Sequence, residues 1–527
     1  MTPFSWQNPY AWPRKPLLAA NAVATSQPLA AQAGLQILAE GGTAIDAVLA
    51  TAITLSLVEP VSNGIGSDAY AIVWDGRELH GLNASGRSPA AWTLDYFGGQ
   101  KAMPLRGWNT VTVPGCVSAW VELHRKWGRV PFERLFERAI HYGRDGFLVS
   151  PTIAGQWAKQ VPELKTQPGF AEAFMPGGRA PAMGERFRFP AHADALERIA
   201  ATRGEAFYRG PLAQKLEAHA ARHGGVLKAS DMAAHKSDWV TPLQMDYRGY
   251  TLHEIPPNGQ GIVALMALGI LESFELRSHR VDGPDSVHLQ IEAIKLAFAD
   301  AWRYVGDLEY MDVRPERLLD RGYLKSRAKL IDLKRAQHYG HGTPPKGGTV
   351  YLTAADASGM MVSFIQSNYM GFGSGVVVDG ISLQNRGATF VLERGHPNCV
   401  GPRKRPYQTI IPGFVTRDGK PVMSFGVMGG TMQPQGHTQV MVRLADYEQG
   451  PQAACDGPRF RYVQGMDVSV EEDGFPHATL EELQRRGHRI VTIDDYNQFG
   501  AAQLIWKLDG GYYVASDPRR DGQAVGF

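Results

Sequence analysis

Residues able to do covalent chemistry are few in this chain, and their spacing narrows the reactions to consider. Neither a G-x-S-x-G elbow nor a G-x-x-x-x-G-K-[ST] phosphate loop occurs in the 527 residues, so two large enzyme classes lose support. Cys116, Cys399 and Cys455 are an odd number set far apart, with no C-x-x-C pair to form a redox couple or zinc knuckle. Gly259 to Ala264 matches G-x-G-x-x-A and opens a helical pattern. Pro256-Pro257 precede it, however, and no ribose-binding acid follows, which argues against a dinucleotide turn. His288 with Glu292, and His338 with His341, have spacings that suit a metal but come without further ligands, so they read as solvated helix and linker residues and no metal is expected. What remains is a hydroxyl. Thr349 follows Gly347-Gly348 where a Gly/Pro-rich segment turns into a strand, and it is either an ordinary strand start or a nucleophile. Gly429-Gly430 stand between a strand pattern and a helix pattern. They form a helix-entry turn whose N–H groups could also hold an oxyanion.

The elements that must position these residues can be read from periodicity. Ser26-Gln27 before Pro28, with apolar positions Ala30, Ala33, Ile37 and Leu38, predict a capped helix ending at Gly41-Gly42. Thr43 and Asp46 have capping-box spacing ahead of a second helix with one apolar face, closing before Glu59-Pro60. A long amphipathic helix is predicted over 285–303. The segment 334–348 is polar, rich in Gly and Pro, and the most linker-like stretch of the chain. Beyond it, 349–355 and 360–367 are strand runs joined by Asp356-Ala357-Ser358-Gly359, a good turn, which predicts a hairpin. A strand over 421–427 then leads through Gly429-Gly430 to a helix over 434–447. The chain thus divides into a helix-rich front, 1–348, and a β-rich rear, 349–527.

Composition sets the outer bounds. Fifty-four Lys plus Arg against 52 Asp plus Glu leave a net charge of +2, too little to draw nucleic acid or an anionic membrane. With 44% hydrophobic and 20% charged residues the chain is an ordinary globular one. No charged-then-apolar leader and no membrane-length apolar run is present, so a soluble cytoplasmic protein is expected.

Several stretches occur together in one order: GGTAIDAVLA, LVEPVSNGIGS, IPPNGQGIVALMALGILE, HLQIEAIKLAFADAWRYVGD, DASGMMVSFIQSNYMGFGSG, GPRKRPYQTIIPG, GVMGGTMQPQGH and ASDPR. On these the chain, from about Leu17 to its end, resembles the γ-glutamyltranspeptidase family of N-terminal nucleophile hydrolases. The resemblance implies an α+β fold, a four-layer αββα sandwich. It also implies a precursor that cuts itself between Gly348 and Thr349, counting back from Asp356, into a large subunit 1–348 and a small subunit 349–527 that form the fold jointly. αβ units that pair as a dimer are a further expectation. Thr349 would be nucleophile and, through its new α-amine, base; Gly429 and Gly430 would hold the oxyanion; Ser367 would touch the Thr349 amine. The chemistry needs no cofactor.

For the substrate, the resemblance places Arg87 where the family pairs an Arg with a carboxylate. Tyr369, Arg386 and Thr389 stand where the family has Asn, Gln and Asp to hold an α-ammonium; Gln408 and Thr409 replace a Ser pair, and Val350 a second Thr. Arg386 would repel an ammonium by about 1 kcal/mol even at 4 Å in water. These departures imply a small amide bearing a carboxylate and no α-ammonium, with Arg386 either a substrate contact or a structural ion-pair partner. The pattern is similar to the oxamate amidohydrolase branch, which implies conversion of oxamate to oxalate and ammonia in purine breakdown. Alternatives are a γ-glutamyl hydrolase or transferase acting on glutathione, a cephalosporin-type acylase, or an uncleaved protein without activity.

Overall fold

The computed structural model describes residues 14–339 and 348–527; residues 340–347, with His341 and most of the expected linker, lie outside them. Two seven-stranded sheets dominate. In chain order their strands are β1 (Leu17–Ala19), β2 (Ala22–Thr25), β3 (Asp68–Trp74), β4 (Leu79–Asn83), β5 (Asp238–Val240), β6 (Leu243–Tyr247), β7 (Tyr250–Glu254), β8 (Gly348–Ala355), β9 (Met361–Tyr369), β10 (Gly413–Arg417), β11 (Lys420–Val427), β12 (Ala502–Leu508), β13 (Gly511–Ser516) and β14 (Gln523–Gly526). One sheet runs β1-β13-β12-β11-β10-β7-β6 and the other β14-β2-β8-β9-β3-β4-β5. Both sheets take strands from the front and the rear portions, so a division at 348/349 does not separate two independently packed bodies.

Period-two alternation makes the layers. In β8, Val350, Leu352 and Ala354 point into a core shared with α1 (Pro28–Ala39) and α2 (Ala44–Val58). Tyr351 and Ala355 point the other way, into a core between the sheets with Phe414, Ile505 and Val514. On the far side of the sheet that holds β10, β11 and β12, α3 (Gly261–Leu271), α4 (Pro284–Tyr304) and α5 (Met432–Ala445) cover Val415, Phe425 and Leu504. The order is helix, sheet, sheet, helix. Between the sheets Thr353 Oγ1 meets Ser424 Oγ at 2.7 Å, so the polar residues of that face satisfy one another.

The local signals hold with small shifts. Gln27 caps α1, and Thr43 and Asp46 form the full capping box of α2. Every residue of α2 is buried, not one face alone, because outer helices cover its other side. Helix α5 starts two residues earlier than expected, closer to Gly430. No described helix is long and apolar enough to cross a membrane.

Candidate active site

Thr349 lies at the start of β8, 1% exposed. Gly348 pairs with Tyr369 and Val350 with Gln366, so β9 carries an irregularity opposite Thr349. The alternation that sends Tyr351 between the sheets sends Thr349 there too. Its Oγ1 is 3.1 Å from Ser367 Oγ and accepts from Gln433 Nε2 at 3.2 Å. Ser367 Oγ also accepts the Tyr369 N–H at 2.8 Å, which ties the hydroxyl pair to the end of β9. The hairpin that joins β8 to β9 brings Thr349 and Ser367 together, hydroxyl to hydroxyl.

The end of β11 and the start of α5 supply the second part. Gly429 and Gly430 have φ of +122° and +62°, a left-handed path that favours glycine. A Cβ on Gly429 would lie 3.2 Å from Gly500 Cα. Neither glycine's N–H has a hydrogen-bond partner among the described residues. Unpaired donors at a turn, Gly430 buried and Gly429 half-buried, are able to receive an oxyanion. Gln260 Nε2 fixes the turn by donating to Gly430 O at 2.8 Å and Thr409 O at 2.6 Å. That is what the G-x-G-x-x-A stretch does: a strand, β7, does precede it, but its middle side chain fills the turn.

The third part is a buried guanidinium. Arg386 is fully buried and stacks 4.6 Å over the Tyr369 ring. Its Nη1 donates to Thr409 Oγ1 at 2.7 Å, and its Nε is 3.8 Å from Asp68 Oδ2, while Nε and Nη2 have no hydrogen-bond partner. The Tyr369 hydroxyl is likewise unpartnered, and this residue's φ of +78° is a strained value for a bulky side chain. Burial lowers the Arg386 pKa to about 10 against the pull of Asp68, and raises that of Asp68 to about 6 against the pull of Arg386. Gln408 Nε2 donates to Asp68 Oδ2 at 2.9 Å and its Oε1 accepts the Thr409 N–H, so its amide is committed to positioning. Thr389 Oγ1 donates to the Arg386 and Tyr407 carbonyls. Tyr369, Thr389 and Thr409 line a cavity of about 630 Å³.

Arg87 stands apart from this group. Its guanidinium, a third exposed, pairs with Asp307 at 3.2 Å and lies 3.7 Å from Glu309. The sequence did not single out Asp68, Gln260 or Gln433. Each is a polar residue inside a Gly-rich or apolar stretch, the one signal available. The expected solvation of His288 and Glu292 is corrected: both are buried, and His488 lies with them. Glu292 is nonetheless spent on Lys295 at 2.6 Å, the Gln337 N–H and the Tyr339 hydroxyl, which pins 337–339 against α4.

A buried threonine hydroxyl at the mouth of one sheet of an αββα sandwich is the arrangement of an N-terminal nucleophile hydrolase. The chain belongs to the gamma-glutamyltranspeptidase family, whose model matches residues 30–527. It is 36% identical over 512 residues to the glutathione hydrolase-like YwrD proenzyme of Bacillus subtilis, covering 95% of this chain and 97% of that one. It is also 36% identical over 514 residues to the oxamate amidohydrolase proenzyme of Klebsiella pneumoniae, with the same coverage. Among solved structures, the cephalosporin acylase of Bacillus halodurans superposes with a TM-score of 0.96 at 47% identity, covering 100% of this chain and 99% of that one. The protein is thus an amidohydrolase acting on C–N bonds.

Proposed function

We propose that the chain is a precursor cut between Gly348 and Thr349 and that Thr349 then hydrolyses a carboxylate-bearing amide. In the first step Thr349 Oγ1 attacks the Gly348 carbonyl carbon through a five-membered ring. The peptide C–N bond breaks as the ester forms, and water opens the ester to give a Gly348 carboxylate and a Thr349 α-amine. That amine, with an ordinary pKa of about 7.7 to 8, takes the hydroxyl proton as Oγ1 attacks the substrate amide. The oxyanion is received by the Gly429 and Gly430 N–H groups, worth roughly 3 to 4 kcal/mol per donor. The leaving amine takes the proton, and water releases the acid from the acyl-threonine.

The observation that carries the substrate class is Arg386, a buried guanidinium with two unpartnered nitrogens beside the unpartnered Tyr369 hydroxyl. A carboxylate suits it and an ammonium does not. Among named amides oxamate fits best, giving oxalate and ammonia as in purine breakdown. Arg87 takes part only by exchanging Asp307 for substrate. A second reading, an acylase or γ-glutamyl hydrolase with a larger substrate, is favoured by the cavity of about 630 Å³, which has far more room than oxamate fills. The test is ammonia or amine release by processed enzyme from oxamate, a γ-glutamyl anilide and a glutaryl anilide. Preference for the γ-glutamyl compound would overturn the substrate class, and an intact chain with full activity would overturn the mechanism.

A further inference from the structure

Two side chains that the chemistry above does not use meet close to the Gly429-Gly430 turn. Glu254, the last residue of β7, and His437, in the second turn of α5, are both fully buried, and His437 Nδ1 stands 2.6 Å from Glu254 Oε1. The other ring nitrogen, Nε2, accepts the Val427 N–H at 3.1 Å. That N–H needs a partner outside the sheet because β10 begins at Gly413, which pairs with Phe425, two residues short of Val427. Accepting there leaves Nε2 without a proton, so a neutral His437 carries its hydrogen on Nδ1 and donates it to Glu254. Burial keeps the ring neutral, lowering the His437 pKa to about 3 and raising that of Glu254 well above the usual carboxylate value. Glu254 Oε2 has no hydrogen-bond partner among the described residues, so the contact with the ring is what holds this carboxyl.

The pair closes a ring around the turn. Val427 ends β11 and His437 belongs to the helix that follows, so their hydrogen bond staples together the two ends of the segment that carries Gly429 and Gly430. Close approach is provided for on both sides: a Cβ on Gly436 would lie 2.5 Å from Val427 Cγ1, and one on Gly261 would lie 2.8 Å from Glu254 Oε2. Gly261 follows Gln260, which holds Gly430 O. The connection from β7 to α3 thus grips the turn twice, directly by Gln260 and through His437 by Glu254. We propose that His437 and Glu254 are positioning residues: His437, kept in its Nδ1–H tautomer by Glu254, clamps Val427 to α5 and so aims the Gly429 and Gly430 N–H groups at the reacting carbonyl oxygen. This rests on those N–H groups receiving the oxyanion, and it deepens that reading by naming what sets their direction.

Nitrogen-15 NMR of histidine-labelled wild type reads the tautomer without turnover. The His437 signals, assigned by their loss in His437→Gln, should show a protonated Nδ1 and a bare Nε2. Kinetics, on the fastest of oxamate, the γ-glutamyl anilide and the glutaryl anilide, read the consequence. His437→Phe keeps a ring but cannot accept the Val427 N–H, and it should lower kcat roughly 10- to 100-fold with KM within about twofold; His437→Gln, whose Oε1 can accept, should recover most of the loss. Glu254→Leu should lower kcat in the same way, and Glu254→Gln, which still accepts from Nδ1, should lose far less. An Nε2–H tautomer in the wild type, equal losses in the conservative and disruptive variants, or an unchanged kcat in His437→Phe while Gln260→Ala lowers it, would overturn the proposal alone. If neither His437→Phe nor Gln260→Ala lowers kcat, the oxyanion reading fails and the proposal falls with it.

Discussion

Gln260 Nε2 holds the carbonyl oxygen of Gly430 at 2.8 Å, reaching from the entry of α3 to the entry of α5. The same nitrogen holds Thr409 O, so one amide links the candidate oxyanion turn to the residue that contacts Arg386. Gln260→Ala frees the turn without touching substrate. The expected outcome is a fall in kcat of roughly 10 to 100-fold with KM little changed, the pattern of an interaction made in the transition state. Steady-state kinetics check it, and a change confined to KM would place Gln260 outside the oxyanion geometry.

Thr349→Ala removes the hydroxyl that both steps need. The precursor should remain one band on denaturing gels and show no turnover, whereas Thr349→Ser, which keeps an attacking oxygen, should still give fragments of 348 and 179 residues. A free amino group on the small fragment, read by N-terminal sequencing, fixes the cut. Fragments from the alanine variant would mean an external protease.

Ser367→Ala deletes the partner 3.1 Å from Thr349 Oγ1 and the acceptor of the Tyr369 N–H. Processing and turnover should both slow, by roughly 5- to 30-fold for a hydrogen bond of 1 to 2 kcal/mol. A time course of fragment appearance separates the two. Unchanged rates would assign the serine to sheet packing alone.

How much of this was legible in the sequence depends on whether the partners were local. The β8–β9 hairpin and its turn at Asp356 follow from period-two patterning and turn chemistry, whereas the placing of Ser367 beside Thr349 came from the family resemblance. Gly429-Gly430 could be placed at a helix entry for the same reason. Asp68 could not be found that way, because it reaches the site only by pairing across from Ser367, three hundred residues later in the chain. The resemblance placed Arg87 on a substrate carboxylate, yet the loop bearing Asp307 occupies its guanidinium, a contact no spacing reveals. His288 and Glu292 looked solvated since a polar helix face usually is. Here that face is covered by other polar groups, which periodicity cannot distinguish from water.

Asp68 gives the last prediction its sign. Burial raises its pKa to about 6, above the usual carboxylate value, so the folded protein binds this proton more readily than the unfolded chain. Its contribution to stability is complete below about pH 4 and is lost as the pH rises through about 6. The same proton acts on the site. Above about 6 the Asp68 carboxylate, 3.8 Å from Arg386 Nε, competes with a substrate carboxylate for that guanidinium; below it the competitor is neutral. KM for a carboxylate-bearing amide should therefore fall as the pH drops through about 6. In Asp68→Asn, which can still accept the Gly86 N–H, the step should disappear and KM should stay at its low-pH value. A neutral amide should show no such step with either protein. The same step in Asp68→Asn would assign the titration to another group, and a rise in KM on acidification would mean that ionised Asp68 supports Arg386 in binding substrate and does not compete for it.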